Sequence, residues 1–239
     1  MSPDRRGSLY LLPNTLGDVA PEAVIPAGAL DRARSLDYII AEDPKAARAF
    51  LKRIATTRPL QGIRVERLDH NTKTEDIPAF LEPLLSGSDA GLLSEAGLPA
   101  VADPGASLVR LAHEQNVRVV PLSGPSSIVL ALAASGLDGQ RFAFHGYLPI
   151  AETELVSTLR ECERQSRKRR QTQIFIETPY RNDRTLAAML RALAPATLVC
   201  VAADLTLESE TVKTRPVAAW RRDAPQLKGR PTVFLLLAE

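Results

Sequence analysis

The chain is poor in the residues that build metal centres and disulfide frameworks, with 2 cysteines and 3 histidines in 239 residues. Cys162 and Cys200 lie far apart, and His70, His113 and His145 are scattered, so no metal-ligand spacing is present and a metal-free protein is expected. Long apolar runs are missing as well. The longest are strand-length, well short of the roughly 20 residues that cross a bilayer. The opening MSPDRRGSLYLLPN has arginines but only a brief apolar run before Pro13, which makes a poor secretory signal, and a cytoplasmic location without membrane contact is expected. Neither GxxxxGK[ST] nor a GxGxxG after the first strand occurs, which argues against a P-loop triphosphate site and a dinucleotide fingerprint. What is left is ordinary: 45% hydrophobic and 24% charged residues, in a length that allows one large or two modest α/β domains.

The most informative stretch is residues 92–125, LLSEAGLPAVADPGASLVRLAHEQNVRVVPLSGP. It reads as an apolar strand, a Gly/Pro-rich loop, a helix, a second apolar strand and a corner opening another helix, which is a βαβ unit. Parallel α/β sheets bind ligands at the carboxyl ends of such strands. Gly97, Pro99, Pro104 and Gly105 in the first corner, with Gly124 and Pro125 in the second, supply tight turns and backbone that a ligand can approach. Neither corner carries a cation. The two are expected at neighbouring sheet ends, forming an uncharged seat lined by backbone and apolar groups, suited to a nucleoside attached to an amino acid.

Around this unit, the pattern predicts strands over residues 8–12, 38–41 and 63–68, and a helix over 44–54 with Asp43 as cap, Pro44 at its first position and Ala47, Phe50, Leu51 and Ile54 as its apolar face. Residues 21–33 read as one short helix. Ile77, Phe80, Leu81, Leu84 and Leu85 form another helical stripe, and residues 126–135 a small-residue helix followed by a strand at 142–145. A Gly/Pro link at residues 146–149 suggests a boundary, giving an N-terminal α/β domain, 1–146, and a smaller α+β domain, 147–239. In the latter a polar helix to about residue 170 precedes strands at 172–176, 198–203, 210–213 and 232–237, with helices at 182–193 and 216–222. Net charge divides unevenly, −2 before the boundary and +4 after it. Much of the excess is Arg167-Lys168-Arg169-Arg170, which reads either as a solvated helix end favoured by the dipole or as an RNA-phosphate contact.

These motifs, taken in order, resemble the tetrapyrrole methylase superfamily of S-adenosylmethionine-dependent methyltransferases. Within it the likeness is to the branch that methylates a cytidine ribose 2′-hydroxyl in small-subunit ribosomal RNA. It rests on Ala41-Glu42-Asp43, His70-Asn71, residues 94–99 continuing to Asp103-Pro104-Gly105, residues 121–127, Arg141-Phe142 with residues 146–149, residues 175–181, and Ala203-Asp204-Leu205-Thr206. The first loop, 12–18, differs from that branch, and so do Leu98, Tyr180, Ala203 and Leu207, where the branch has Thr, His, Arg and Lys.

The resemblance implies a two-domain tetrapyrrole-methylase-like fold, with a parallel-sheet N-terminal domain, a smaller mixed-sheet C-terminal domain and the cofactor in a cleft between them, commonly as a homodimer. Carried over position by position, S-adenosylmethionine would touch Leu16, Ala96, Gly97, Leu98, Val101, Ser126 and Ser127, then Glu177, Ala203, Leu205 and Pro231. Methyl transfer from a sulfonium needs an aligned acceptor, and for a hydroxyl acceptor a base helps. His70, Glu177 and Asp204 are the candidates, with Asp18 and Glu42 behind them. Each has a structural reading beside the catalytic one: a turn at His70, a helix start at Glu42, a pair with Arg181 for Glu177, a strand-end charge for Asp204, and helix capping for Ser126 and Ser127. Three readings follow: an RNA methyltransferase, a methyltransferase for a tetrapyrrole or other small acceptor, and a cofactor-binding scaffold without turnover.

Overall fold

A computed structural model of the chain describes residues 6–238. It resolves into two compact units that divide after Ser126. Among the described residues, no helix is long and apolar enough to cross a membrane, and no cluster of His, Cys, Asp and Glu suited to a metal occurs.

The first unit runs β1 (Ser8–Leu12), α1 (Pro21–Val24), α2 (Ala27–Ser35), β2 (Tyr38–Ala41), α3 (Pro44–Arg53), β3 (Arg64–Arg67), α4 (Glu82–Leu85), β4 (Ala90–Leu93), α5 (Gly105–Glu114) and β5 (Arg118–Pro121). Its five strands lie in the order β3-β2-β4-β1-β5, every pairing parallel. The period-2 alternation of strand side chains builds a core on each face. Ile39 and Ala41 join Leu12 and Leu93 beneath α2 and α3, while Tyr38 and Ile40 join Leu9 and Leu92 beneath α5. All four residues of β2 and of β4 are buried, the reason these strands read as unbroken apolar runs.

Two local expectations change. Residues 21–33 hold two helices, because Pro26 ends the first turn and caps the second. The stripe over 77–85 is a 3-10 helix, residues 74–81, followed by the single-turn α4, since Pro78 and Pro83 each remove an amide donor. The start of α3 follows expectation: Asp43 accepts a bond from the Lys45 amide at 2.8 Å, with Pro44 at the first position.

The second unit comprises α6 (Ser127–Ser135), β6 (Phe142–Tyr147), α7 (Glu152–Arg169), β7 (Thr172–Glu177), α8 (Asn182–Ala192), β8 (Leu198–Ala203), β9 (Thr211–Pro216), α9 (Val217–Trp220) and β10 (Thr232–Leu237). Strand order is β6-β7-β10-β8-β9, parallel only at β6-β7. Leu155, Leu159 and Cys162 of α7 and Leu186 and Met189 of α8 pack on Phe175, Val201 and Phe234 of the sheet. The division after Ser126 falls some twenty residues before the Gly/Pro link at 146–149. The cause is pairing: β6 hydrogen-bonds to β7, and α6 packs on β8, β9 and β10, with the Thr214 hydroxyl donating to Ser135 O at 2.6 Å.

Candidate functional site

At the carboxyl end of the first sheet, β1 lies between β4 and β5, so the two Gly/Pro corners are not on neighbouring strands as the sequence suggested. The corner after β1 fills the gap and joins them. Asn14 and Gly97 exchange backbone bonds of 2.8 and 3.2 Å, and the Asn14 amide donates to the carbonyls of Ser94 and Glu95 at 3.0 Å each. A Cβ on Gly124 would stand 2.1 Å from Pro13 Cβ, so only glycine lets the third corner lie against the first. Gly97, at φ +70°, leaves just enough room for Leu16: a Cβ there would be 3.3 Å from Leu16 Cδ2 and 3.6 Å from Pro125 O. Three corners thus converge, and Leu16, Ala96 and Gly97 are brought together.

The 94–105 loop is held in a strained form. Ala100 and Ala102 both have positive φ, +64° and +61°, each costing about 1–2 kcal/mol. Asp103 fixes them: its carboxylate accepts from the Ala100 amide at 2.9 Å and from Gly105 at 2.8 Å, while burial nonetheless raises its pKa. Val101, between the two strained residues, is 45% exposed, a large apolar side chain held in the open by a pinned loop. Leu98 is half-buried.

A cleft of about 250 Å³ opens between these corners and α3, lined by Leu16, Gly17, Ala49, Arg53, Glu95 and Ala96 among others. It is not uncharged, contrary to the sequence reading. Arg53 reaches in from the last turn of α3, donating to Val19 O and lying 3.7 Å from Asp18, and Glu95 faces it from the second corner. Arg53 comes from outside the glycine-proline stretch, whereas Glu95 lies within it, two residues before Gly97. Asp18, a reserve candidate for the base, is thus the exposed partner of Arg53.

Beside the cleft, Glu42 at the end of β2 has its carboxyl pKa raised, first by burial and then by the charges of Glu95 and Asp103, with His70 opposing. The carboxyl ends of β2, β3 and β4 therefore gather Glu42, His70, Glu95 and Asp103 into one electrostatic group. His70 itself is exposed, on the turn after β3.

In the second unit the register brings four candidates together: Thr232 is opposite both Glu177 and Ala203, and Pro231 O accepts the Asp204 amide at 2.9 Å. Glu177 is committed to its surroundings. Its carboxylate accepts from the Thr178 amide at 2.7 Å, from the Thr185 hydroxyl at 3.4 Å and from Arg181. Asp204 is held likewise, by Arg230 Nε at 2.7 Å and the Ser209 hydroxyl at 2.9 Å. Positive φ at Asp204 (+54°) and Thr206 (+74°) marks a strained loop around the buried Leu205, and the Thr206 hydroxyl is buried with no hydrogen-bond partner among the described residues. The pair of Glu177 with Arg181 is the structural reading that the sequence offered for Glu177, whereas Arg230, which fixes Asp204, was missed. Ser126 and Ser127 lie at the junction of the two units, Ser127 as the first residue of α6.

A parallel sheet with glycine-proline corners at its carboxyl ends, followed by a mixed five-stranded sheet, is an architecture shared with solved methyltransferases. The methyltransferase CobJ superposes with a TM-score of 0.61 at 17% identity, covering 97% of this chain and 94% of that one. Cobalt precorrin-4 methyltransferase, CbiF, a cobalamin biosynthetic enzyme, gives 0.57 at 18%, covering 96% and 94%. More particularly, residues 21–219 match the tetrapyrrole (corrin/porphyrin) methylases, and the chain belongs to that family. Among relatives, the ribosomal RNA small subunit methyltransferase I of Escherichia coli O157:H7 is 32% identical over 234 residues, 96% of this chain and 78% of that protein. The protein of the same name from Vibrio cholerae is 34% identical over 210 residues, 88% and 69% of the two chains.

Proposed function

We propose that the chain transfers a methyl group from S-adenosylmethionine to a ribose 2′-hydroxyl of small-subunit ribosomal RNA, as a cytoplasmic homodimer. The observation that carries this reading is the 32% identity, over 96% of the chain, to a ribosomal RNA small subunit methyltransferase I.

The residues at the carboxyl end of the first sheet fit the donor. Leu16, Ala96, Leu98 and the exposed Val101 offer apolar cover for an adenosine, on backbone that Asn14 and Asp103 hold in place. Glu95 lines the cleft and Glu42 lies in the same electrostatic group, so carboxylates stand ready for the donor's cationic sulfonium or ammonium, with Arg53 for its carboxylate. The donor supplies an already activated methyl group. What this chain adds is alignment and exclusion of water. From the second unit, Ser127, Glu177, Ala203, Leu205 and Pro231 are proposed contacts, with the carbonyls of Ala203 and Pro231 as acceptors.

For the proton leaving the acceptor hydroxyl, His70 and Glu42 are favoured over Glu177 and Asp204, whose carboxylates are each bound by an arginine. Each arginine fixes the orientation of its carboxylate and occupies its lone pairs, which suits a positioning group.

The test is transfer of a tritiated methyl from S-adenosylmethionine, offered to unmodified small ribosomal subunits and, separately, to uroporphyrinogen. Label retained in a ribose of the RNA is the expected result. Label in the tetrapyrrole alone would replace this acceptor by the second, and label in neither, with donor binding intact in calorimetry, would leave a scaffold.

A further inference from the structure

We propose that Tyr180 and Tyr147, with Lys228 beside them, form a platform on which unpaired bases of a single-stranded RNA stack; the inference deepens, and rests on, the RNA reading above. The chain has 4 tyrosines. Tyr10 lies under the Arg32 guanidinium at 4.5 Å, and Tyr38 is buried with its hydroxyl 2.7 Å from Glu66. The other two face solvent, Tyr180 at 85% and Tyr147 at 58% exposure, and both belong to the same end of the second sheet.

Neither is a loose surface residue. Arg181, next to Tyr180, donates to Leu148 O at 3.0 Å while pairing with Glu177, so one guanidinium ties the turn after β7 to the turn after β6. Arg181 N bonds to Thr178 O at 2.9 Å, and Gly229 N to Pro179 O at 3.0 Å. Tyr147 is re-aimed by the irregularity that shifts the β6-β7 register between Phe144 and Tyr147, where Gly146 has φ +69°. A buried ion pair therefore fixes backbone whose next residues are exposed aromatics. Such preorganised rings bind bases without a large ordering cost.

Charge selects the occupant. Leu227 N bonds to Asp183 and Gly229 N to Pro179, so the segment carrying Lys228 runs alongside Tyr180. Lys228 is exposed and forms no ion pair among the described residues. Glu177 is paired with Arg181 and Glu152 with Arg184 and Arg191, while Asp183 is held by the Leu227 amide and keeps its charge. A phosphate meets an unneutralised cation there, next to rings with open π-faces, the combination that retains single-stranded nucleic acid. Bases inside a duplex are already stacked and are not offered to such rings.

Binding of a fluorescent single-stranded oligoribonucleotide of roughly ten nucleotides to the full chain tests this by anisotropy. Tyr180→Ala should weaken binding about tenfold and Tyr147→Ala measurably, while Tyr180→Phe, which keeps the ring, stays near wild type. Lys228→Ala should lower the salt slope by about 0.7. S-adenosylmethionine calorimetry and Trp220 fluorescence verify that each variant is folded. Unchanged affinity in Tyr180→Ala, absence of binding by wild type, or conversion of a dimer to a monomer by Tyr180→Ala would each overturn the platform, the last by assigning the patch to a second copy. The two readings separate when methyl transfer is run in parallel. Tyr180-dependent binding without transfer upholds the platform and sinks the ribose reading, whereas transfer with Tyr180-independent binding does the reverse.

Discussion

Glu42 ends β2 half-buried, with Glu95 and Asp103 as charged neighbours, and its carboxyl titrates above the ordinary carboxylate range. A folded-state value raised above the unfolded one means that the native state holds the proton more tightly, so stability falls as pH rises through that window. Glu42→Gln removes the penalty. The variant should melt with wild type near pH 3, where the side chain is protonated in both states, and above it at about pH 7 in thermal unfolding followed by circular dichroism. A variant that melts lower at neutral pH would show instead that the Glu42 charge is satisfied. At this scale the sequence was uneven in what it disclosed. The Asp43 cap and Pro44 were legible because capping is local chemistry, but the positive φ of Ala100 and Ala102 was not, because alanine carries no left-handed preference and Asp103 imposes the strain through folded hydrogen bonds.

Among the elements, the ion pairs are far from equal. Glu152 meets Arg184 and Arg191 at the surface, where such pairs contribute about 0–1 kcal/mol. Glu177 is 1% exposed at its side chain, and Arg181 ties it to the β6 turn. Removing one partner of a buried pair costs about 3 kcal/mol. Glu177→Gln should accordingly lower the denaturation midpoint of the second unit, read by fluorescence of Trp220, the single tryptophan, which is buried in that unit with its indole N–H on Val199 O. An unshifted midpoint would mean that Arg181 is satisfied by solvent and that the two turns are joined by backbone alone. The strand and helix positions of this unit were largely readable from periodicity. The 3-10 geometry over 74–81 was not, since an apolar stripe at helical spacing outweighed the prolines within it.

For the molecule as a whole, the thiols report on integrity. Cys162 and Cys200 are buried in the second unit, the first with its pKa pushed up to about 11 by desolvation and the second also raised by burial. The thiolate is the reactive form. Neither should react with a disulfide reagent under native conditions, both should react in denaturant, and the slow native rate should track opening of the unit. Fast labelling of either would contradict the packing of α7 or β8 described above.

Taken alone, the sequence determined the succession of strands and helices, the glycine-proline corners and the family signature, because alternation, capping and turn chemistry act over a few neighbouring residues. Only the tertiary structure decided that β1 separates the two corners and its own loop joins them, that Arg53 and Glu95 bring charge to a cleft expected to have none, and that α6 and β6 belong to the second unit. Strand order and cross-strand partners depend on which surfaces exclude water together, and residues far apart in the chain set that jointly.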